Sequence, residues 1–168
     1  RPDLAAIHVT LSDPEGNAII LGTEWSRVEI SRAAKKVVLV ADYIVDTDCV
    51  RQFPNLVRIP GVVVDAVVWQ PFAAWPQSSP GAYDIDEKHM RLMNERLGSE
   101  EGTASYLAEF VNGVETIDDY LERIGADVAA QLEKSSSSFL LDPYRKWIKP
   151  REDVESLLAQ NASRGDAQ

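Results

Sequence analysis

Apolar positions fall into short continuous runs in the first half of the chain and into helical spacing in the second. Leu4 to Leu11 is an apolar run of strand length, and Ser12-Asp13-Pro14-Glu15-Gly16-Asn17 carries the Pro and Gly of a tight turn. Ala18 to Leu21 resumes the strand pattern, so residues 4–21 are expected to form a hairpin. A helix is expected from Ser26 to Lys36, with Val28, Ala33 and Ala34 among its apolar positions. Val37-Val38-Leu39-Val40-Ala41 reads as a strand covered on both faces. Thr47 and Asp48 open a short helix that Pro54 ends, and Val57 to Trp69 is expected to be one strand with Val62–Val68 as its buried centre. This alternation predicts an α/β fold with an open, mostly parallel sheet and right-handed crossovers.

From Pro71 to Pro80 the chain is irregular, and helices alone follow. Asp84-x-x-Glu87 has capping-box spacing, Met90, Met93 and Leu97 form an apolar stripe, and Gly98 closes that helix. Tyr106, Leu107, Phe110 and Val111 mark a second helix, and Ile117, Tyr120, Leu121 and Ile124 a third. Val128 and Leu132 mark a short fourth. Ser135 to Ser138 reads as a flexible link. Phe139, Leu140, Leu141, Tyr144, Trp147 and Ile148 are too apolar for a free tail and are expected to dock on this chain or on a partner. A last helix starts near Pro150, and disorder is expected from Asn161 onward.

Charge narrows the function classes. The 168 residues carry a net charge of −10, with no basic stripe of the kind that neutralises phosphates, which argues against nucleic acid. Residues 84–134 hold 5 bases and 13 acids, so the acidity sits in the helical part, as a solvated face would place it. No apolar run reaches a membrane span, and no signal-peptide pattern opens the chain; a cytoplasmic location is expected.

Self-sufficient chemistry is absent from the pattern. His8 and His89 lie far apart, without metal-ligand spacing; His8 is expected as a satisfied strand residue and His89 on a helix surface. Cys49, the single cysteine, is flanked by Asp46 and Asp48, whose charges raise a thiol pKa, so a buried inert thiol is expected. Adjacent acids such as Asp118-Asp119 face different ways on a helix. Asp65, inside an apolar run, needs partners and is expected to tie neighbouring backbone amides. The loop after that run leaves the strand's carboxyl end, where open α/β sheets usually bind ligands.

Four segments carry a resemblance: Ile7-His8-Val9 with Asp13-x-x-Gly16-Asn17-Ala18; Ala33-Ala34-Lys35-Lys36-Val37; Ile44-Val45; and Ile59-Pro60-Gly61-x-x-Val64-Asp65-Ala66-Val67-Val68. In this order the chain resembles the α-type (A) subunits of family I CoA-transferases, the glutaconate type in particular. Pro80-Gly81-x-Tyr83-x-x-Asp86 and Glu101-Gly102 with Phe110-Val111-x-Gly113-Val114 fit the family's helical end. The resemblance covers residues 4–134 and implies the C-terminal half of an α-type domain, a Rossmann-type half-sheet followed by helices. Residues 135–168 lie outside it as a linker and tail, for which docking on a partner is considered.

The resemblance further implies a subunit, or part of one, of an αβ enzyme acting on an acyl-CoA or a dicarboxylic acid. CoA would be transferred through a glutamyl-CoA thioester on the β-type partner, with a coenzyme A thioester as substrate and no bound cofactor or metal. No catalytic residue is expected within this chain. The implied partners are a β-type subunit together with the N-terminal half of the α-type chain, in a hetero-oligomer. Hydrolysis or decarboxylation of a CoA thioester, or a non-catalytic scaffold half-domain, are the alternatives, since a fold does not fix a reaction.

Two departures from the family stand out. Relatives read Gly-Ala-His-Pro where this chain has Ala73-Ala74-Trp75-Pro76, and their acidic pair is altered to Asp42-Tyr43. Trp75, Gln77, Ser78 and Ser79 are the expected substrate-binding residues. Ser99-Glu100-Glu101-Gly102 superficially resembles the element around the β-type nucleophile, but its place marks it as a helix start.

Overall fold

The computed structural model describes residues 1–136 and 138–165. Two compact units form: one from Arg1–Ala73 together with the segment from Phe139, the other from Ala74–Ser138.

The first unit is built on a five-stranded mixed sheet. Strands β1 (Leu4–Ser12), β3 (Lys36–Ile44) and β5 (Ala66–Trp69) run parallel, while β2 (Ala18–Ile19) pairs antiparallel with β1 and with β4 (Val57–Ile59). Their order across the sheet is β4-β2-β1-β3-β5. Ala5, Ile7, Val9 and Leu11 alternate inward along β1, and Val37, Leu39 and Ala41 do so along β3. Helix α1 (Arg27–Ala33) contributes Val28 to this core. It is shorter than the expected span from Ser26 to Lys36: Lys35 and Lys36 donate their backbone N–H groups to Pro2 and Asp3 instead, feeding β3 into the sheet. Helix α2 (Thr47–Gln52) begins at Asp46, whose carboxylate accepts the Asp48 N–H.

The expected single strand from Val57 to Trp69 is broken. Pro60 lacks the N–H a strand interior requires, and Gly61 N donates sideways to Asn17 Oδ1 at 2.9 Å. Residues Gly61–Val63 form a 3-10 turn, leaving Val62 at 90% exposure rather than at a buried centre. Asp65 precedes β5, its side chain 35% exposed and not buried. It still ties backbone: Val37 N donates to Asp65 Oδ2 at 2.8 Å, Asp65 N donates to Val37 O at 2.8 Å, and Lys36 pairs with Oδ1 at 2.6 Å.

The tail packs on this unit. Ile148 bridges Val45 in antiparallel fashion, Asp46 N donates to Trp147 O, and Lys149 N donates to Ile44 O. Leu141 and Tyr144 join the cluster of Leu11, Val45 and Cys49, while Val154 of α7 (Arg151–Gly165) enters the sheet core. Helix α7 thus runs past Asn161, where disorder was expected; residues 166–168 lie outside the described residues, as does Ser137 of the expected serine link. Among the described residues no helix is long and apolar enough to cross a membrane.

The second unit holds α3 (Glu87–Arg96), α4 (Glu100–Phe110), α5 (Ile117–Ile124) and α6 (Ala126–Ser135). Ser99 caps α4 through the Gly102 N–H, as a helix start requires. Thr116 and Asp119 form a reciprocal capping box on α5. Gly125, at φ +87°, turns α5 into α6 with open space around it. The cap of α3 is Asp86 rather than the expected Asp84: its Oδ1 accepts the His89 N–H at 2.9 Å, whereas Asp84 N is drawn to Leu132 O.

Candidate functional site

In the first unit the turn Asp13–Asn17 is fastened to the Pro60-Gly61 bend. Asp13 is fully buried, and its carboxylate accepts Asn17 N at 2.8 Å and Asn17 Nδ2 at 3.0 Å. Burial pushes the Asp13 carboxyl up, against the two Asn17 hydrogen bonds that hold it down. Gly16, at φ +85°, lies under Val64 with no room for a side chain. These residues, which belong to the segments that carry the resemblance, therefore act as scaffold.

His8 and Asp42 form the other polar pair of this unit. His8 Nε2 lies 2.8 Å from Asp42 Oδ2, and Asp42 Oδ1 accepts the Ala73 N–H at 3.1 Å. The Trp69 indole donates to the Asp42 carbonyl at 3.2 Å. Asp42 is buried, so this pair joins β1, β3 and the start of the loop. Cys49 is fully buried, and desolvation, followed by the charges of Asp13 and Asp46, pushes its thiol up to about 11, leaving it inert at neutral pH. Among the described residues no group of His, Cys, Asp and Glu is arranged to hold a metal ion.

The second unit contains the candidate site. Trp75 packs against His89 with ring centroids 4.0 Å apart and planes tilted by 45°, and Phe110 meets His89 edge-on at 4.6 Å. Tyr120 lies edge-on to Trp75 at 6.2 Å. Two polar atoms of these rings have partners inside the cluster: Trp75 Nε1 donates to Asp86 Oδ2 at 3.1 Å, and His89 Nε2 lies 3.0 Å from Tyr106 Oη. Burial holds the His89 imidazole below its ordinary pKa and lifts the Tyr106 phenol, so both are neutral at pH 7. Beside the rings opens a pocket of about 780 Å³, with Trp75, His89, Phe110, Leu92, Ile124 and Val128 among its lining.

His89, expected on a surface, is 8% exposed and central to the cluster. The stripe read from Met90, Met93 and Leu97 leaves Leu97 exposed and gives no hint of this burial, because the rings around His89 come from α4 and from the loop. Of the expected substrate-binding residues, Trp75 lines the pocket. Gln77 and Ser78 are exposed, with Gln77 Nε2 facing Met90 Sδ at 3.8 Å. Ser79 is buried, and its backbone brackets a turn with Tyr83, whose hydroxyl accepts the Ala74 N–H at 2.8 Å. The structure thus gives a pocket to one of the four and a loop-shaping place to another.

A parallel β1-β3-β5 core with antiparallel β2 and β4, followed by helices, places the chain in the class of α/β proteins. The solved glutaconate coenzyme A-transferase from Acidaminococcus fermentans superposes with a TM-score of 0.75 at 30% identity, over 78% of this chain and 41% of that one. The α-type (A) chain of glutaconate CoA-transferase from the same organism is 32% identical over 124 residues, 74% of this chain and 39% of that protein. An uncharacterised protein of Archaeoglobus fulgidus is 41% identical over 133 residues, 79% of this chain and 29% of its own length. No protein-family profile matches. The chain belongs with the α-type chains of the CoA-transferases, and it spans less than half the length of the curated relatives it matches.

Proposed function

We propose that this chain forms part of an α-type subunit that acts, in the cytoplasm, with a β-type partner and with the portion of the α-type relatives it does not match. The complex moves CoA between carboxylic acids. A glutamate carboxylate of the partner attacks the thioester carbonyl, CoA thiolate leaves, and a mixed acyl-glutamyl anhydride forms. The thiolate then attacks the glutamyl carbonyl of the anhydride, releasing the acyl carboxylate and leaving glutamyl-CoA. Binding of the second acid reverses these steps, so one difficult exchange becomes several easier ones.

This chain's part is to shape the acyl pocket through the loop carrying Trp75, Gln77, Ser78 and Ser79. The single observation carrying the reading is the agreement with a solved glutaconate coenzyme A-transferase at TM-score 0.75. Its test is isolation of the native complex through a tag on this chain, followed by a CoA-transfer assay between an acyl-CoA and a free carboxylic acid. Transfer by a complex containing a β-type chain supports the reading; a chain that purifies alone, with no transfer activity in its fractions, overturns it.

A further inference from the structure

The pocket beside Trp75 has the size of a small-molecule site, within the range of about 300–1,000 Å³ such sites occupy. Two polar atoms of its rings are already engaged, the Trp75 indole N–H by Asp86 and His89 Nε2 by Tyr106. Carboxylates outnumber bases around it: Asp86, Glu87, Glu95, Glu109 and Glu122 against Lys88, Arg91, Arg123 and the Arg96 that reaches Glu109, a formal balance of −1. Two of these are already paired with opposite charges, Arg91 with Glu87 at 3.1 Å and Glu109 with Arg96 at 2.5 Å. His89, neutral because it is buried, adds no positive charge.

An apolar group entering such a space gains ring and aliphatic contact, whereas an added carboxylate meets net negative charge and loses its water. Resting on the acyl-CoA reading above, we propose that this pocket holds the apolar end of the acyl group and rejects a second carboxylate, so that the substrate is a monocarboxylic acyl thioester with an apolar body. The reactive thioester stays outside the pocket, and the polyanionic CoA portion does not enter it. Trp75 then sets specificity through its ring face.

Binding can be read on this chain without any partner, which separates this proposal from the transfer reaction. The probes are N-hexylacetamide and adipate, which share an apolar chain and differ in charge, titrated by isothermal calorimetry at constant ionic strength. The amide is expected to bind about tenfold more tightly than adipate, a difference of one logarithm in Kd. Trp75→Ala is expected to weaken the amide by about tenfold. Glu95→Gln with Glu122→Gln, both on exposed helix faces, is expected to narrow the gap between the probes by tightening adipate binding. Adipate binding as well as the amide, no amide binding, or amide binding indifferent to Trp75→Ala each overturns the proposal. Transfer activity of the native complex can stand or fall independently of all three.

Discussion

Asn17 bridges Asp13 and Gly61: its Oδ1 accepts the Gly61 N–H at 2.9 Å while its backbone and side-chain N–H groups both donate to the buried Asp13 carboxylate. This contact ties the β1-β2 turn to the bend before β5, across 44 residues of sequence. The same three positions belong to the segments through which the chain resembles its relatives, so part of that resemblance has a mechanical reason.

Removing the bridge leaves a buried carboxylate short of partners. Asn17→Ala is therefore expected to lower stability by about 2–4 kcal/mol, seen as a lower urea midpoint. An unchanged midpoint would show that water replaces the amide without loss.

Gly61 tests the same junction sterically. A side-chain carbon there would sit 2.2 Å from the Glu15 carbonyl oxygen, a backbone atom that cannot swing aside. Gly61→Ala is expected to cost about 2–3 kcal/mol, whereas alanine at Gly125 would suffer from its positive φ and not from crowding. Thermal unfolding is the check: the Gly61 variant is expected to melt at a lower temperature than the native protein, and an unchanged midpoint would show that the bend shifts away from the Glu15 carbonyl without loss.

His89 gives the helical unit a pH dependence. Its folded pKa lies below the ordinary imidazole value of 6.5, chiefly because burial disfavours the charged ring. As pH falls through 6.5 the unfolded chain binds a proton that the folded unit resists, so stability declines until the lower folded pKa is passed. Denaturation midpoints between about pH 7.5 and 5, on a scale set by about 1.4 kcal/mol per unit of pKa shift, should fall for the native protein and fall less for His89→Gln. Equal slopes would assign the dependence to other groups.

Cys49 should behave as a spectator. With its thiol pushed up to about 11 and no surface exposed, alkylation by iodoacetamide at about pH 8 is expected to require unfolding. The check is the modification rate with and without urea; rapid labelling of the folded chain would contradict it.

How much of this was legible depends on where each signal lies. Strands β1 and β3 announce themselves by continuous apolar runs, and the hairpin by Asp13-Pro14-Glu15-Gly16. The break at Pro60-Gly61 was written in the sequence too, but the valines on either side read as one strand because hydrophobicity outweighed the Pro-Gly punctuation. His89 was illegible for a different reason. Its burial comes from Trp75, Tyr106 and Phe110, which are remote in sequence, so no local period could reveal it. Tyr106 and Phe110, one helical turn apart on α4, were visible as a stripe; what they pack against was not. Trp75 was found as a departure from a family pattern, and the aromatic pocket it lines required the fold.

The most direct measurement is the intact mass of the β-type chain in the native complex, before and after addition of an acyl-CoA without an acceptor acid. The account predicts that this chain keeps its mass while the partner gains the mass of CoA less one water, and that the added mass disappears when a carboxylic acid is supplied. CoA mass appearing on this chain, or on neither chain in a complex that consumes the thioester, would contradict it.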